Sequence, residues 1–172
     1  MKKTKPKQSK NLPKLVIIRD SREKRGWKFN ASANCGGTIV HKLAAGDYSI
    51  VGLEKYIVIE RKESMDELCA NLGRERARFM RELERMADVR HKFLIVEDYA
   101  SSIFKRRFSH MDGSALLGSL TSIMLKHGIH IIFAGQEKTG KAIAARLLHK
   151  AYEYYLREQT EKMDEFEEPN GA

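Results

Sequence analysis

Apolar positions recur along this chain with two different periods. LVIIRD at 15–20 is a short β-branched run that ends in charge, the pattern of a buried strand. Three further strand patterns follow, TIVHKL (38–43), DYSIVGL (47–53) and KYIVIERK (55–62). Their short breaks, at Ala44-Ala45-Gly46 and around Gly52, predict antiparallel hairpins. Residues 21–37, with several charges, Trp27, Asn30, Asn34 and Gly36-Gly37, read mostly as loop. From residue 64 the period becomes helical. Ser64 stands three residues before Glu67, the capping-box spacing, and Gly73 interrupts the helix it starts. A second helix is predicted through RERARFMRELERMAD (74–88), with Phe79, Leu83 and Met86 on one face. FLIVED (93–98) and IHIIFAG (129–135) are strand patterns. SALLGSLTSIMLKHG (114–128) is a helix that stops at Gly128, and 139–156 is a closing helix. Strands interleaved with covering helices predict an α/β domain around a mixed sheet.

Charge adds a partner class to this outline. The formal net charge is +9 and the sequence pI about 9.6. Residues 1–14 carry six lysines and no acid, whereas 158–172 carry six acids and one lysine. The region between is itself basic, which favours a polyanionic partner, nucleic acid first, or simply a basic soluble protein. The sequence divides into a basic unstructured segment at 1–13, one domain at 14–157 and an acidic unstructured segment at 158–172. The lysine-rich start is not followed by an apolar stretch of signal-peptide type, and no apolar run approaches the ~20 residues that span a membrane. Cys35 and Cys69 lack metal-ligand spacing and read as reduced thiols. A cytoplasmic location is expected, nucleoid-associated in a bacterial or viral setting, with no membrane association.

Candidate chemistry gathers in GDYSIVGLEKYIVIERKESMDEL (46–68). In a strand, alternate residues share a face, which groups Tyr56, Val58, Glu60 and Lys62 against Ile57, Ile59 and Arg61. Glu60 and Lys62 would lie roughly 6–7 Å apart at the strand's end, beside the strand that begins with Asp47. Two carboxylates and an ammonium around one small volume suit phosphodiester hydrolysis. The acids can hold Mg²⁺ through oxygen ligands, and the lysine can orient water and offset charge on the transition state. Two hairpin ends carrying solvated charges would give the same spacing.

The segment resembles the nuclease signature of the XPF-type structure-specific endonucleases, GDx(n)ERKxxxD. It reads Gly46-Asp47-Tyr48, then Glu60-Arg61-Lys62, then Asp66, and the family's earlier D-x-R-E element stands at Asp20-Ser21-Arg22-Glu23. The similarity runs from about residue 15 to about 155. It implies a restriction-endonuclease-like α/β fold with a central mixed β-sheet flanked by helices. It also implies Mg²⁺-dependent hydrolysis of DNA, with Mn²⁺ substituting, on flap, fork or branched substrates. Asp47, Glu60 and the carbonyl of Arg61 would be metal ligands, and Lys62 the water-activating lysine. Asp20 would sit near the metal, Arg61 would order the site, Asp66 would brace it, and Glu23 would pair with a nearby arginine. The family also contains DNA-binding or scaffolding homologues without activity, but those usually lose motif acids or the lysine, which this chain keeps. Relatives usually append tandem helix-hairpin-helix DNA-binding modules, and no segment here resembles one. Specificity is therefore expected for simpler duplexes or through a protein partner. The resemblance also implies a homodimer, for which helices 114–127 and 139–156 offer Ala115-Leu116-Leu117 and Leu147-Leu148.

Four other signals carry less. Arg74, Arg78, Arg81 and Arg85 share a helix face and read either as phosphate contacts or as a solvated face paired with Glu75, Glu82 and Glu84. Lys105-Arg106-Arg107 is a second basic candidate. GQEKTGKA (135–142) imitates a phosphate-binding loop, but Ala142 stands where Ser or Thr would meet Mg²⁺, so an ordinary helix start is expected. His127 and His130 have no third ligand in view and read as structural.

Overall fold

A computed structural model of the chain describes residues 13–105 and 111–167. Arg106, Arg107, most of the basic start and the final residues lie outside them. The elements run β1 (Leu15–Asp20), β2 (Cys35–His41), β3 (Tyr48–Ile50), β4 (Ile57–Lys62), α1 (Met65–Leu72), α2 (Arg76–Glu84) and β5 (His91–Val96). A 3-10 turn (Ala100–Phe104), α3 (Gly113–His127), β6 (His130–Phe133) and α4 (Glu137–Glu167) complete the order. Six strands form one mixed sheet in the order β2-β1-β3-β4-β5-β6. Helices cover both faces, as in restriction-endonuclease-like α/β domains. Val58, Leu68, Phe79, Leu83, Leu94 and Leu120 fill the core under α1, α2 and α3. Ile17, Trp27, Tyr48, Ile59, Ile95 and Leu148 fill the core under α4.

The hairpin between β3 and β4 forms as the breaks predict. The one expected between 38–43 and 47–53 does not. β2 pairs with β1 in parallel, and β3 pairs with β1 antiparallel. Parallel neighbours need a crossover of about a dozen residues or more, and the loop after β1 provides it. Trp27 and Phe29 sink from that loop into the α4-side core and take the place of a crossover helix. Thr38 Oγ1 closes the loop onto β2, accepting from Phe29 N at 2.7 Å and donating to Phe29 O at 3.1 Å. β2 also begins earlier than expected, at Cys35, and takes in Gly36 and Gly37.

The helix signals read more directly. Ser64 Oγ caps α1 by accepting from Glu67 N at 3.2 Å, and Glu67 reaches back to Glu63 N at 2.8 Å. α3 stops at Gly128, whose φ of 62° lies in the left-handed region. α4 continues well past residue 156, so part of the acidic segment expected to be unstructured is helical. Tyr56 precedes β4 and packs toward α4 against Tyr155, so it does not share the Val58 face.

Candidate active site

Because β3 alone runs against the other strands, the C-terminal ends of β1, β4 and β5 and the entry to β3 meet at one edge of the sheet. Asp20, Asp47, Glu60, Arg61, Lys62 and Glu97 all lie there. Asp47 is tied in by its backbone. Its carbonyl accepts from Asp20 N at 2.7 Å and its N–H donates to Ile59 O at 2.9 Å. Gly46 makes this approach possible. Its φ is +71°, and a Cβ would come within 2.3 Å of Val58 Cγ2. The glycine of the Gly-Asp pair is therefore required by close packing of the backbone on β4.

Every residue of β4 is buried, its terminal charges included. On the α1–α2 face, Glu60 Oε1 accepts from Lys62 Nζ at 2.7 Å, and Glu67 Oε1 lies 3.5 Å from the same ammonium. Lys62 Nζ also stands 5.0 Å from the centre of the Phe79 ring. The other oxygen of Glu60, Oε2, is buried without any hydrogen-bond partner. Among the described residues only Arg19 Nε shares that condition. Burial raises the Glu60 carboxyl above its ordinary value, and Lys62 offsets part of that shift. Asp47 Oδ2 accepts from Arg61 N at 2.8 Å. Burial and then the negative charge of Glu60 raise Asp47 well above its ordinary value. Burial would lower the Lys62 ammonium, but Glu60 and Glu67 outweigh it and keep the group protonated.

An unpartnered buried carboxylate oxygen beside a second acid is a costly arrangement. A divalent cation would relieve both the missing bond and the repulsion. Among the described residues no cluster of three or more His, Cys, Asp or Glu side chains is placed to hold a metal. The donor set is two acids at a strand end, which fits Mg²⁺ or Mn²⁺, ions that keep several waters and take few protein ligands.

Arg61 turns to the opposite face, where its guanidinium meets three carboxylates. Nε and Nη2 bind Glu97 Oε1 and Oε2 at 2.9 and 2.7 Å. Nη1 binds Glu23 and Glu63 at 3.1 and 3.0 Å. Glu97 Oε1 also accepts from Trp27 Nε1 at 2.7 Å, and the guanidinium lies 5.2 Å from the centre of the Trp27 ring. Sequence reasoning passed over Glu97 and Trp27. No local spacing marks them, because they reach Arg61 through the fold.

Asp20 is 1% exposed, and four donors occupy its two oxygens. Arg22 N and Nε donate to Oδ1 at 2.8 and 2.7 Å, while Arg22 Nη2 and Leu43 N donate to Oδ2 at 3.2 and 2.6 Å. Burial alone would raise this carboxyl, but the bonds from Arg22 and Leu43 hold it below its ordinary value. Asp66 is exposed in the first turn of α1, and the acid that reaches Lys62 from this helix is Glu67.

Phe79 and Leu83 are buried under α2 and Met86 just beyond it, as the spacing predicts, which leaves the arginine row outside. Arg74 precedes the helix. Arg74 and Arg78 both pair with Glu75, the former at 3.8 Å, and Arg85 lies 3.7 Å from Glu82. Arg85 Nε also donates to Ala44 O at 3.1 Å, close to Gly46. The stretch that imitates a phosphate-binding loop is a left-handed Gly135 followed by α4 from Glu137. His130 packs on Phe93 with ring centres 5.4 Å apart. Leu116 and Leu148 enter the core, and Leu117, Met124 and Leu125 remain exposed on α3.

The model of the ERCC4 domain family matches residues 19–146. Among solved structures the chain is similar to XPF from Aeropyrum pernix, with 21% identity and a TM-score of 0.56, covering 77% of this chain and 64% of that one. It is also similar to XPF from Aeropyrum pernix in complex with DNA, with 21% identity and a TM-score of 0.58, covering 82% and 66%. The chain thus spans just under two thirds of the length of those structures. At this identity the likeness establishes the fold. No curated protein sequence matches.

Proposed function

This chain belongs to the ERCC4 domain family, and on that premise we propose that it is a metal-dependent DNA endonuclease whose centre is Asp47, Glu60 and Lys62. The observation that carries the reading is Glu60 Oε2, a buried carboxyl oxygen with no partner beside a second raised carboxyl. A DNA-binding homologue without activity would gain nothing from keeping it. The likeness to an XPF domain solved with DNA supports DNA as the substrate. Mg²⁺ is the expected ion and Mn²⁺ the expected substitute, held by Asp47 and Glu60 with the carbonyl of Arg61. When bound, the ion polarises the phosphate and acidifies a water.

The chain's own residues do the rest. Asp47, fixed by Arg61 N, and Glu60, fixed by Lys62, present their oxygens from a rigid strand end. Lys62 is held as an ammonium, so it acts by donating hydrogen bonds and by opposing charge that grows on the phosphate oxygens; it does not accept a proton. The Arg61 cluster keeps the β4 backbone in place, and with it the N–H that orients Asp47. Family resemblance supports a homodimer. Leu117, Met124 and Leu125 on α3 offer an apolar face for it, and light scattering at micromolar concentration would return a dimer mass.

The test is to incubate the full chain with labelled duplex, flap and fork DNA in Mg²⁺, Mn²⁺ or EDTA. Cleavage is expected with either ion and not in EDTA. Cleavage that survives EDTA, or full activity in Glu60→Ala, would overturn the reading.

A further inference from the structure

The arginine row along α2 is one basic surface of this domain, and a second set of exposed cations stands on the loops that follow β1 and β2. Lys24, Arg25 and Lys28 project from the crossover after β1, and Lys42 from the turn after β2; all four are exposed. Among the described residues none of the four has a carboxylate partner. In the arginine row, by contrast, Arg74 and Arg78 share Glu75 and Arg85 pairs with Glu82, so that among the described residues Arg81 alone of the four has no carboxylate partner. Acids also stand near the crossover, but they are committed inward. Glu23 and Glu63 bind Arg61, and Glu67 lies against Lys62. Among Glu23, Glu63, Asp66 and Glu67 the exposed acids are Asp66 and Glu63, and Glu63 is also bound to Arg61.

The crossover is irregular in backbone but firmly held. Arg25 O accepts from Arg61 Nη1 at 3.4 Å and Gly26 O from Arg19 Nη1 at 3.2 Å. Trp27 N donates to Tyr48 Oη, and Phe29 N to Thr38 Oγ1 at 2.7 Å. Trp27 and Phe29 are buried on either side of Lys28, so Lys28 is forced outward. Lys42 precedes Leu43, whose N–H binds Asp20 and whose carbonyl binds Arg22. Lys141, the lysine of the apparent phosphate-binding loop, adds to this side, with Nζ 5.9 Å from the centre of the Phe29 ring. A loop pinned at successive backbone positions, with its cations outside and unpaired, has little freedom still to lose on binding. Two of its pins, Arg61 and Asp20, belong to the site itself.

We propose that Lys24, Arg25, Lys28 and Lys42 form the principal phosphate-gripping surface for duplex DNA, ahead of the α2 arginine row. The proposal rests on the nuclease reading and adds the side from which the duplex lies across the site. Cations that neutralise phosphates release counterions, so each lost contact lowers the slope of log affinity against log salt by about 0.9.

The test measures binding of the full chain to a labelled duplex in EDTA across a salt series. Wild type is compared with the fourfold loop variant (Lys24→Gln, Arg25→Gln, Lys28→Gln, Lys42→Gln) and the fourfold row variant (Arg74→Gln, Arg78→Gln, Arg81→Gln, Arg85→Gln). Circular dichroism confirms that each is folded. The loop variant is expected to lose about 2–4 from the slope and on the order of tenfold or more in affinity, and the row variant about 1 or less in slope. A loop variant that binds like wild type, or a row variant that loses more, overturns the surface while leaving the nuclease reading intact. A wild-type protein that binds no duplex at any salt overturns both.

Discussion

Two buried charge clusters share the end of β4, one on each face, and they differ in completeness. On the Trp27 face, Arg61 is surrounded by Glu23, Glu63 and Glu97, and Glu97 is itself bonded by Trp27. On the Phe79 face, Lys62 satisfies one oxygen of Glu60 and leaves the other bare. Both clusters are deep and both are ionic, so burial of charge does not distinguish structure from function. What separates them is whether the bonds are all made. A filled cluster holds the backbone, whereas an unfilled one leaves a buried oxygen free to take a further partner.

The largest effect expected from breaking this contrast is on stability. Arg61→Ala leaves buried carboxylates unpaired and should cost about 3–5 kcal/mol, read by chemical denaturation. If Arg61→Ala unfolds at the wild-type denaturant midpoint, the Trp27-face cluster is not structural. Lys62→Ala attacks the other face. It should lower cleavage by on the order of 10²–10³-fold while divalent-ion binding persists, since an ammonium is not a ligand. Wild-type cleavage rates in Lys62→Ala would remove the lysine from the mechanism.

Legibility in the sequence divides along the same line. That Asp47, Glu60 and Lys62 meet near one strand end could be read from a strand's period of two, but solvated hairpin ends have the same spacing, and it is the family motif that marks them as a candidate site. The partners of Arg61 could not be read. Glu97 is 36 positions away from it, and Trp27 is 70 from Glu97. Such pairs arise only once β5 lies beside β4 and the crossover folds back. The same limit explains β2. Short breaks at Ala44-Ala45-Gly46 and around Gly52 look like hairpin turns, and nothing local shows that two buried aromatics in the preceding loop make β2 a parallel neighbour of β1. The acidic end of α4 misled for another reason. Tyr56 and Arg90 bind Glu158 at 3.1 and 2.7 Å, a tertiary anchor that composition does not reveal.

The two clusters' neighbouring aspartates should separate with pH in EDTA. Asp20 is lowered in the folded protein, so it stabilises above the unfolded carboxylate range and loses that effect as pH falls through its folded value. Asp20→Asn should therefore be less stable than wild type at neutral pH, with the gap closing on acidification. Asp47 is raised, so the folded state holds its proton longer, and wild type loses stability as pH climbs above the unfolded range. Asp47→Asn, which can still accept from Arg61 N, should gain on wild type over that window. Melting temperatures of the three proteins from acid to neutral pH decide it, and parallel curves would refute the assignment of opposite shifts. The smallest effect belongs to Glu67, half-exposed at 3.5 Å from Lys62. Glu67→Gln should change stability by no more than about 1 kcal/mol. A larger loss by denaturation would make Glu67 a full member of the Phe79-face cluster.

Direct titration of the full chain with Mn²⁺, followed by calorimetry or by the spectrum of the free ion, tests the meaning of the bare oxygen most directly. Wild type should bind the ion at a site that is lost in Glu60→Gln and in Asp47→Asn, and retained in Lys62→Ala. Equal binding by wild type and Glu60→Gln would contradict the account, because the unpartnered oxygen of Glu60 would then hold nothing.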